Sequence, residues 1–493
     1  MADFRRGPTR GLTLYLVATA VLGALPDMAR AQATSTAPPG GDLQQMRSEL
    51  QALQEEEAKA READRVRNER INALARQLGV PASAAPPIET IPAAAAASAQ
   101  TTGETNRNFE IYGFAQADYI QDFKRVNPSW DATLRPSRIP TTSGLYGSNG
   151  QSIISVRQSR FGVQASQDIG GQPLSVKFEF DLFGVGVDEG QTTMRIRHAY
   201  GSWGPVLVGQ TNSVFMDGDS FPNVVDYWGP NGMIFVRTPQ ARYTWKSGPH
   251  ELAAAVEYNT NDIDPGNVRV LDPALGSGIT NDEKLPDFTA HYRYNGGWGH
   301  VQLAGIVRRV GYDTPDTPGN EPKGQDTGWG LNLSSNIKTW NKDVLHLAAV
   351  YGQGIASYMN DGGTDLGPKV ELASIPLGLP VPPVTPVTSV SLTPVAVPIY
   401  SFLAYYDHVW SKSLSTSIGY SQVRVDNTNF QASDAFKLGE YASANLLWAP
   451  DPHILMGAEY LWGRRADKNG QSGDDSRVQF SFKYSFSSKD FFH

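Results

Sequence analysis

The chain is 493 residues long with 42 basic and 50 acidic residues, a formal net charge of −8 that argues against nucleic acid as a partner. It contains no cysteine, which excludes disulfides and thiolate metal sites. Beyond the first residues no apolar stretch approaches the roughly 18 residues of a helical membrane span, so its 20 phenylalanines, 20 tyrosines and 10 tryptophans need another explanation.

At the amino terminus Arg5, Arg6 and Arg10 precede the apolar run from Gly11 to Leu25 and a small-residue site, Ala29-Arg30-Ala31. This pattern predicts a secretory signal peptide over residues 1–31, because the run is shorter than the roughly 20 residues of a spanning helix. Its loss removes four basic residues and two acidic ones, leaving an exported chain that is more acidic still. A short segment, 32–41, leads into residues 42–78, which contain no Gly or Pro and are rich in helix formers. In heptads, Leu43, Met46, Leu50, Leu53, Ala60, Ile71, Leu74 and Leu78 occupy the seam, with Glu57, Asp64 and Arg67 in its polar middle. The expected structure is a short α-helical coiled coil on the periplasmic side; a lone solvated helix is the alternative, with little to bury. Residues 79–108, mostly Pro, Ala, Ser and Thr, read as an extended linker.

From Phe109 onward, sixteen short alternating segments follow, beginning near 109, 152, 173, 192, 205, 233, 249, 287, 299, 327, 343, 400, 413, 436, 453 and 475. In the segment from Pro173 to Gly184, Leu174, Val176, Phe178, Phe180 and Leu182 fall on one face, and Ser175, Lys177, Glu179 and Asp181 on the other. Val478, Phe480, Phe482, Tyr484 and Phe486 repeat the design near the end. Tight turns at 168–173, 201–205, 246–250, 295–299, 339–343, 410–414 and 449–453 alternate with long irregular loops, the longest from about Ala356 to Ile399. A soluble sandwich has no reason to sort its loops by end, whereas an outer-membrane barrel does so. Trp203, Trp245, Trp298, Trp340, Trp410 and Trp448 sit in or beside six of those turns, as a girdle at a membrane interface requires. The expected fold is therefore all-β: a 16-stranded antiparallel transmembrane β-barrel over 109–493, closed by pairing its last strand with its first, in outer-membrane lipid.

Sixteen strands enclose a lumen too wide for wall side chains to plug, so an aqueous channel is expected and its selectivity depends on what narrows it. The loop from Val214 to Met233 is the candidate constriction, with Asp217, Asp219, Asp226, Tyr227 and Trp228; an ordinary surface loop is the alternative. Alternation places Lys177, Arg195, Arg197, Arg242, Arg293, Arg308 and Lys483 on the inward face. Arg157 and Arg160 differ in parity and both point inward only across a bulge; Arg237 shares parity with Trp245 and faces inward only if Pro239 marks another. Arg and Lys on a lumen wall favour anions, because guanidinium forks match carboxylates. The competing reading is that these cations pair with lumen acids such as Glu179, Asp181 and Glu459, leaving a weakly selective pore whose coiled coil tethers the envelope. An outer-membrane enzyme is disfavoured. HELAA at 250–254 lacks the second His of a zinc-protease helix, no G-x-S-x-G elbow occurs, and no metal or cofactor is expected.

The stretches IYGFAQADYIQDF, VRQSRFGVQ, RIRHAYGSWGPVLVGQTNSVF with the following DYWGP, and FSFKYSF resemble the DcaP-like outer-membrane porins. The resemblance implies a homotrimer of 16-stranded barrels with an amino-terminal coiled coil, and uptake of small anionic solutes such as dicarboxylates and aromatic acids. It also implies pore-lining arginines, which fall in the matched motifs on Arg157, Arg160, Arg195 and Arg197. The chain departs from the pattern in ending KDFFH and in its proline-rich insertion from Leu366 to Pro398.

Overall fold

The computed structural model describes residues 108–491 except 185–192, 259 and 376–386, together with the backbone but not the side chains of 372–375 and 387–391. The signal peptide, the segment 32–41, the coiled coil and nearly all of the linker lie outside the described residues. Within them, short alternating segments pair in chain order into one closed antiparallel sheet of sixteen barrel strands. These are β1 (Asn108–Asp122), β2 (Gln151–Ser155 and Arg160–Ile169), β3 (Gln172–Asp181), β4 (Arg195–Trp203), β5 (Val206–Asn212), β6 (Arg237–Ser247), β7 (His250–Glu257) and β8 (Thr280–Asn281 and Asp287–Gly296). The remainder are β9 (Gly299–Asp313), β10 (Gly324–Lys338), β11 (Val344–Gln353), β12 (Pro398–Val409), β13 (Leu414–Val425), β14 (Phe436–Asp451), β15 (Ile454–Asp467) and β16 (Ser472–Ser487). Closure comes from β1 pairing with β16, from Tyr112↔Ser487 to Asp122↔Arg477, so the barrel sheet has no edge strand among the described residues.

The period-2 pattern decides which side faces where. Phe480, Phe482 and Tyr484 lie on the outer surface, whereas Gln479 between the strands' outer rows is buried inside. All six tryptophans of the short-turn end lie on the outside, 45% to 76% exposed. Two irregularities depart from simple alternation. β2 is broken at 156–159 while both of its halves pair with β1, which lets Arg157 and Arg160, of opposite parity, both reach lumen-side partners, the Phe183 ring and Glu179. Between β3 and β4 the register slips after Glu179↔His198 and resumes at Phe180↔Ile196, so Arg197 is the extra residue of a bulge. The β5–β6 pairing, by contrast, runs through Pro239↔Gln210 without a slip.

Among the described residues, three loops fold back inside the barrel: 126–140, 213–236 and 354–366. Their apolar side chains, among them Leu134, Ile139, Phe215, Ile234, Ile355 and Tyr358, pack on inward wall residues such as Ile306, Tyr405 and Tyr441 and form the core. Backbone taken away from bulk water needs partners, and the wall supplies them. Asn332 Nδ2 donates to the Phe215 carbonyl at 2.9 Å and Ser401 Oγ to that of Gly232 at 2.6 Å. Gly232 is required there, since a Cβ would lie 2.6 Å from the Phe402 carbonyl oxygen. The second and third loops also hold each other: the Asn360 N–H donates to Met233 O at 2.9 Å and the Phe235 N–H to Tyr358 O at 3.0 Å. The proline-rich insertion forms a two-stranded hairpin apart from the barrel, Leu366–Ile375 against Val387–Ala396, with Pro368 facing Pro394.

Candidate functional site: a file of basic cavities

Three cavities follow one another through the barrel. At the long-loop end a vestibule of about 410 Å³ lies among Arg135, Arg138, Asp262, Asp361, Phe436 and Arg465. Trp228 and Phe235 line both it and a central cavity of about 440 Å³, whose charged lining is Arg160, Arg197, Asp226, Arg237 and Lys483. Phe114 and Arg160 in turn line both the central cavity and a third of about 510 Å³ at the short-turn end, beside Lys177, Glu179, His453 and Asp490.

The loop 213–236 shapes the middle cavity, and it is pinned near its start and at its tip. Asp217 accepts hydrogen bonds from His300 and Ser334, each at 2.7 Å, and pairs with Arg293 at 3.2 Å. Burial pushes the Asp217 carboxyl up, but His300, Ser334 and Arg293 outweigh it and hold it below the usual carboxylate range. Asp219 is an exposed residue also paired with Arg293. Further along, Glu459 on β15 accepts the N–H groups of Val225 (2.8 Å) and Asp226 (2.7 Å). Asp226 itself accepts from Thr133 Oγ1 at 2.7 Å and from Tyr441 OH at 3.3 Å, and burial pushes its carboxyl up to about 6. Glu459→Ala would strand two buried N–H groups at about 1–3 kcal/mol each. The expected result is a lower denaturation midpoint in detergent and noisier single-channel current, because the loop is freed at its tip.

Tyr227 and Trp228 join this loop to the wall. The Tyr227 ring stacks on Phe183 at 4.0 Å, and its hydroxyl donates to Asp181 at 2.6 Å while receiving Arg197 at 2.9 Å. Trp228 Nε1 donates to the Asn360 carbonyl at 2.6 Å, and the indole covers the Arg135 guanidinium at 4.4 Å.

The wall cations fall into two groups. Arg195 forms a two-point pair with Asp181 at 3.2 and 2.9 Å, and Arg197 pairs with Glu179 at 2.7 Å and Asp181 at 3.0 Å. Arg308 is buried against Asp287 at 3.1 Å and Asp365 at 3.5 Å, and Arg293 is held by Asp217 and Asp219. Lys177 (3.6 Å) and Arg160 (3.5 Å) reach Glu179 more loosely. Arg157 sits in the break of β2 over the Phe183 ring, its Nη2 donating to the Gly184 carbonyl at 2.9 Å. Arg242 lines none of the three cavities. Lys483 lies 5.2 Å from the Phe114 ring centre and Arg237 stacks 4.6 Å from that of Phe235; neither has a carboxylate partner among the described residues.

Arg237 carries the parity of outward Pro239, Tyr243 and Trp245, so period-2 counting sends it outside. It is the first residue of β6, where the returning loop and not the pleat sets its direction. Arg135, Arg138 and Arg465 also escaped the sequence reading: the first two lie on a loop without periodicity, and Arg465 lies near the long-loop end of β15.

The sequence model of a family described as DcaP outer membrane protein matches residues 94–361, more than half of the chain. No curated protein matches. Among solved structures, the outer membrane channel DcaP of Acinetobacter baumannii is similar at TM-score 0.62 and 22% identity, over 77% of this chain and 97% of that one. The anion-selective porin from Comamonas acidovorans aligns at TM-score 0.48 and 9% identity, over 77% of this chain and 100% of that one.

Proposed function

The chain belongs to the DcaP outer membrane protein family, and from that premise we propose that its barrel is a water-filled outer-membrane channel for small organic anions, dicarboxylates and aromatic acids among them. In this reading the long-loop end faces outward, the barrels assemble as a homotrimer and the chain catalyses no reaction. The central cavity carries the proposal: Arg160, Arg197, Arg237 and Lys483 line it against Asp226 alone, and two of the four cations lack a counter-ion among the described residues. A free guanidinium or ammonium in a narrow aqueous passage lowers the energy of an anion and raises that of a cation.

A weakly selective pore is the second reading, favoured by the close pairing of Arg195, Arg197 and Arg308 with acids. Reversal potentials across planar bilayers under a salt gradient separate the two. The expected result is an anion-to-cation permeability ratio well above one at low salt that declines as the Debye length shrinks; a ratio at or below one defeats the proposal.

A further inference from the structure

The vestibule differs in charge from the cavity below it. Of its cations, Arg135 is held by Asp361 at 2.9 Å and sandwiched between Trp130 and Trp228, and Arg465 is held by Asp467 at 2.7 Å. That leaves two side chains, Arg138 and Asp262, without an ion pair or side-chain hydrogen bond among the described residues, and they bear opposite charges.

Both sit on fixed backbone. The Asp262 N–H donates to the Asp365 carboxylate at 2.8 Å and the Asp262 carbonyl accepts the Asp365 N–H at 2.8 Å. The turn that carries Arg138 is held by Asp361, which accepts the Ser137 N–H at 2.7 Å along with the Arg135 guanidinium. Neither backbone has to be ordered when a ligand arrives, so only the two exposed side chains, of opposite charge, have to be ordered on binding. A plain dicarboxylate satisfies Arg138 and is repelled by Asp262. A molecule carrying both a carboxylate and an ammonium satisfies both, and Phe436 and Phe235 offer apolar faces to its body.

We propose that this vestibule is a recognition site for amino-acid-type zwitterions, with the ligand carboxylate on Arg138 and its ammonium on Asp262. An acidic amino acid is the best fit to the whole file: its α-carbon groups suit the vestibule, and its net negative charge suits Arg237 and Lys483 beyond. Only that last step rests on the anion-channel reading.

Glutamate and glutarate differ by the one ammonium that matters. Titrating each into the detergent-solubilised full chain, followed by saturation-transfer NMR, is expected to show glutamate binding about threefold more tightly, the scale of one exposed ion pair. Asp262→Asn is expected to abolish that advantage, glutamate losing the partner of its ammonium and glutarate losing the repulsion. Burial and the neighbouring Asp365 push the Asp262 carboxyl up to about 6, against Arg308, Arg135 and Arg138. The advantage should therefore fade as pH falls through that value and Asp262 takes up a proton. Equal affinity for the two ligands in the unmodified protein, or an advantage that survives Asp262→Asn, overturns the proposal. Loss of anion selectivity in the bilayer experiment leaves it standing, so the two readings fail separately.

Discussion

Replacing Arg308 with Met is expected to cost about 3–5 kcal/mol of barrel stability, the scale on which removing one partner leaves buried charge uncompensated. Arg308 is 2% exposed and ties three elements together. Its Nε lies 3.1 Å from Asp287 on β8, and its Nη1 meets Asp365, Ser357 and the Gly354 carbonyl on the third infolded loop. Its Nη2 reaches Asn261 at 2.8 Å on the loop after β7. Tyr358, whose hydroxyl donates to Asp287 at 2.8 Å, belongs to the same knot. Without the guanidinium, Asp287 and Asp365 lose the cation they share, and the loop 354–366 loses its ionic attachment to β9. Guanidinium titration in micelles should show the lowered midpoint. The triple variant Arg308→Met, Asp287→Asn, Asp365→Asn should recover most of the loss, because it removes the charges together. The consequence reaches the pore, since Asn360 on that loop holds Trp228 and Met233. Single channels of Arg308→Met are expected to be noisier and more conductive.

How much of this was legible beforehand depends on which physical signal each feature leaves. The strand starts were: fifteen of the sixteen observed lie within about four residues of their expected positions, and the long segment of β8 starts at the expected Asp287 after a two-residue piece at Thr280, because a half-exposed strand must alternate and a tight turn must punctuate. The short-turn tryptophans were equally plain. The bulge at Arg197 left no trace, since one extra residue preserves composition and only the partner strand reveals it. Arg237 misled for the same reason: pleat parity governs a strand's interior and lapses where a loop feeds its first residue. The loop 354–366 looked like part of one long irregular connection, yet it lies inside the barrel. The charges that hold it, Arg308 and Asp365, are 57 residues apart in sequence, so no local pattern links them. The hairpin of the proline-rich insertion hid behind residues that usually end strands. Pro368 and Pro394 face each other in a two-stranded sheet, which has outer edges on both sides and can tolerate a missing N–H there.

These pairings reorder what mutation of the wall cations should do. Arg195 and Arg197 stand out in the sequence as selectivity residues, but in the fold they neutralise Asp181 and Glu179. Removing both is therefore expected to unmask two carboxylates, of which Glu179 lines the cavity at the short-turn end, and to leave them without their best partners. Arg237→Ala with Lys483→Ala also removes two positive charges but uncovers no acid, so it tests the free cations by themselves. At the roughly 1 kcal/mol of a contact between charges in water, each free cation lost should lower the anion-to-cation permeability ratio by about fivefold at low salt, with little change in denaturation midpoint. Arg195→Ala with Arg197→Ala should push selectivity at least as far toward cations and also lower the midpoint. Adding Asp181→Asn and Glu179→Gln to that second pair should return selectivity toward the original and leave Arg237 and Lys483 to set it. If the Arg237 and Lys483 pair proves silent while the other shifts strongly, the selective charge lies in the salt-bridged cluster and the two unpaired cations are bystanders.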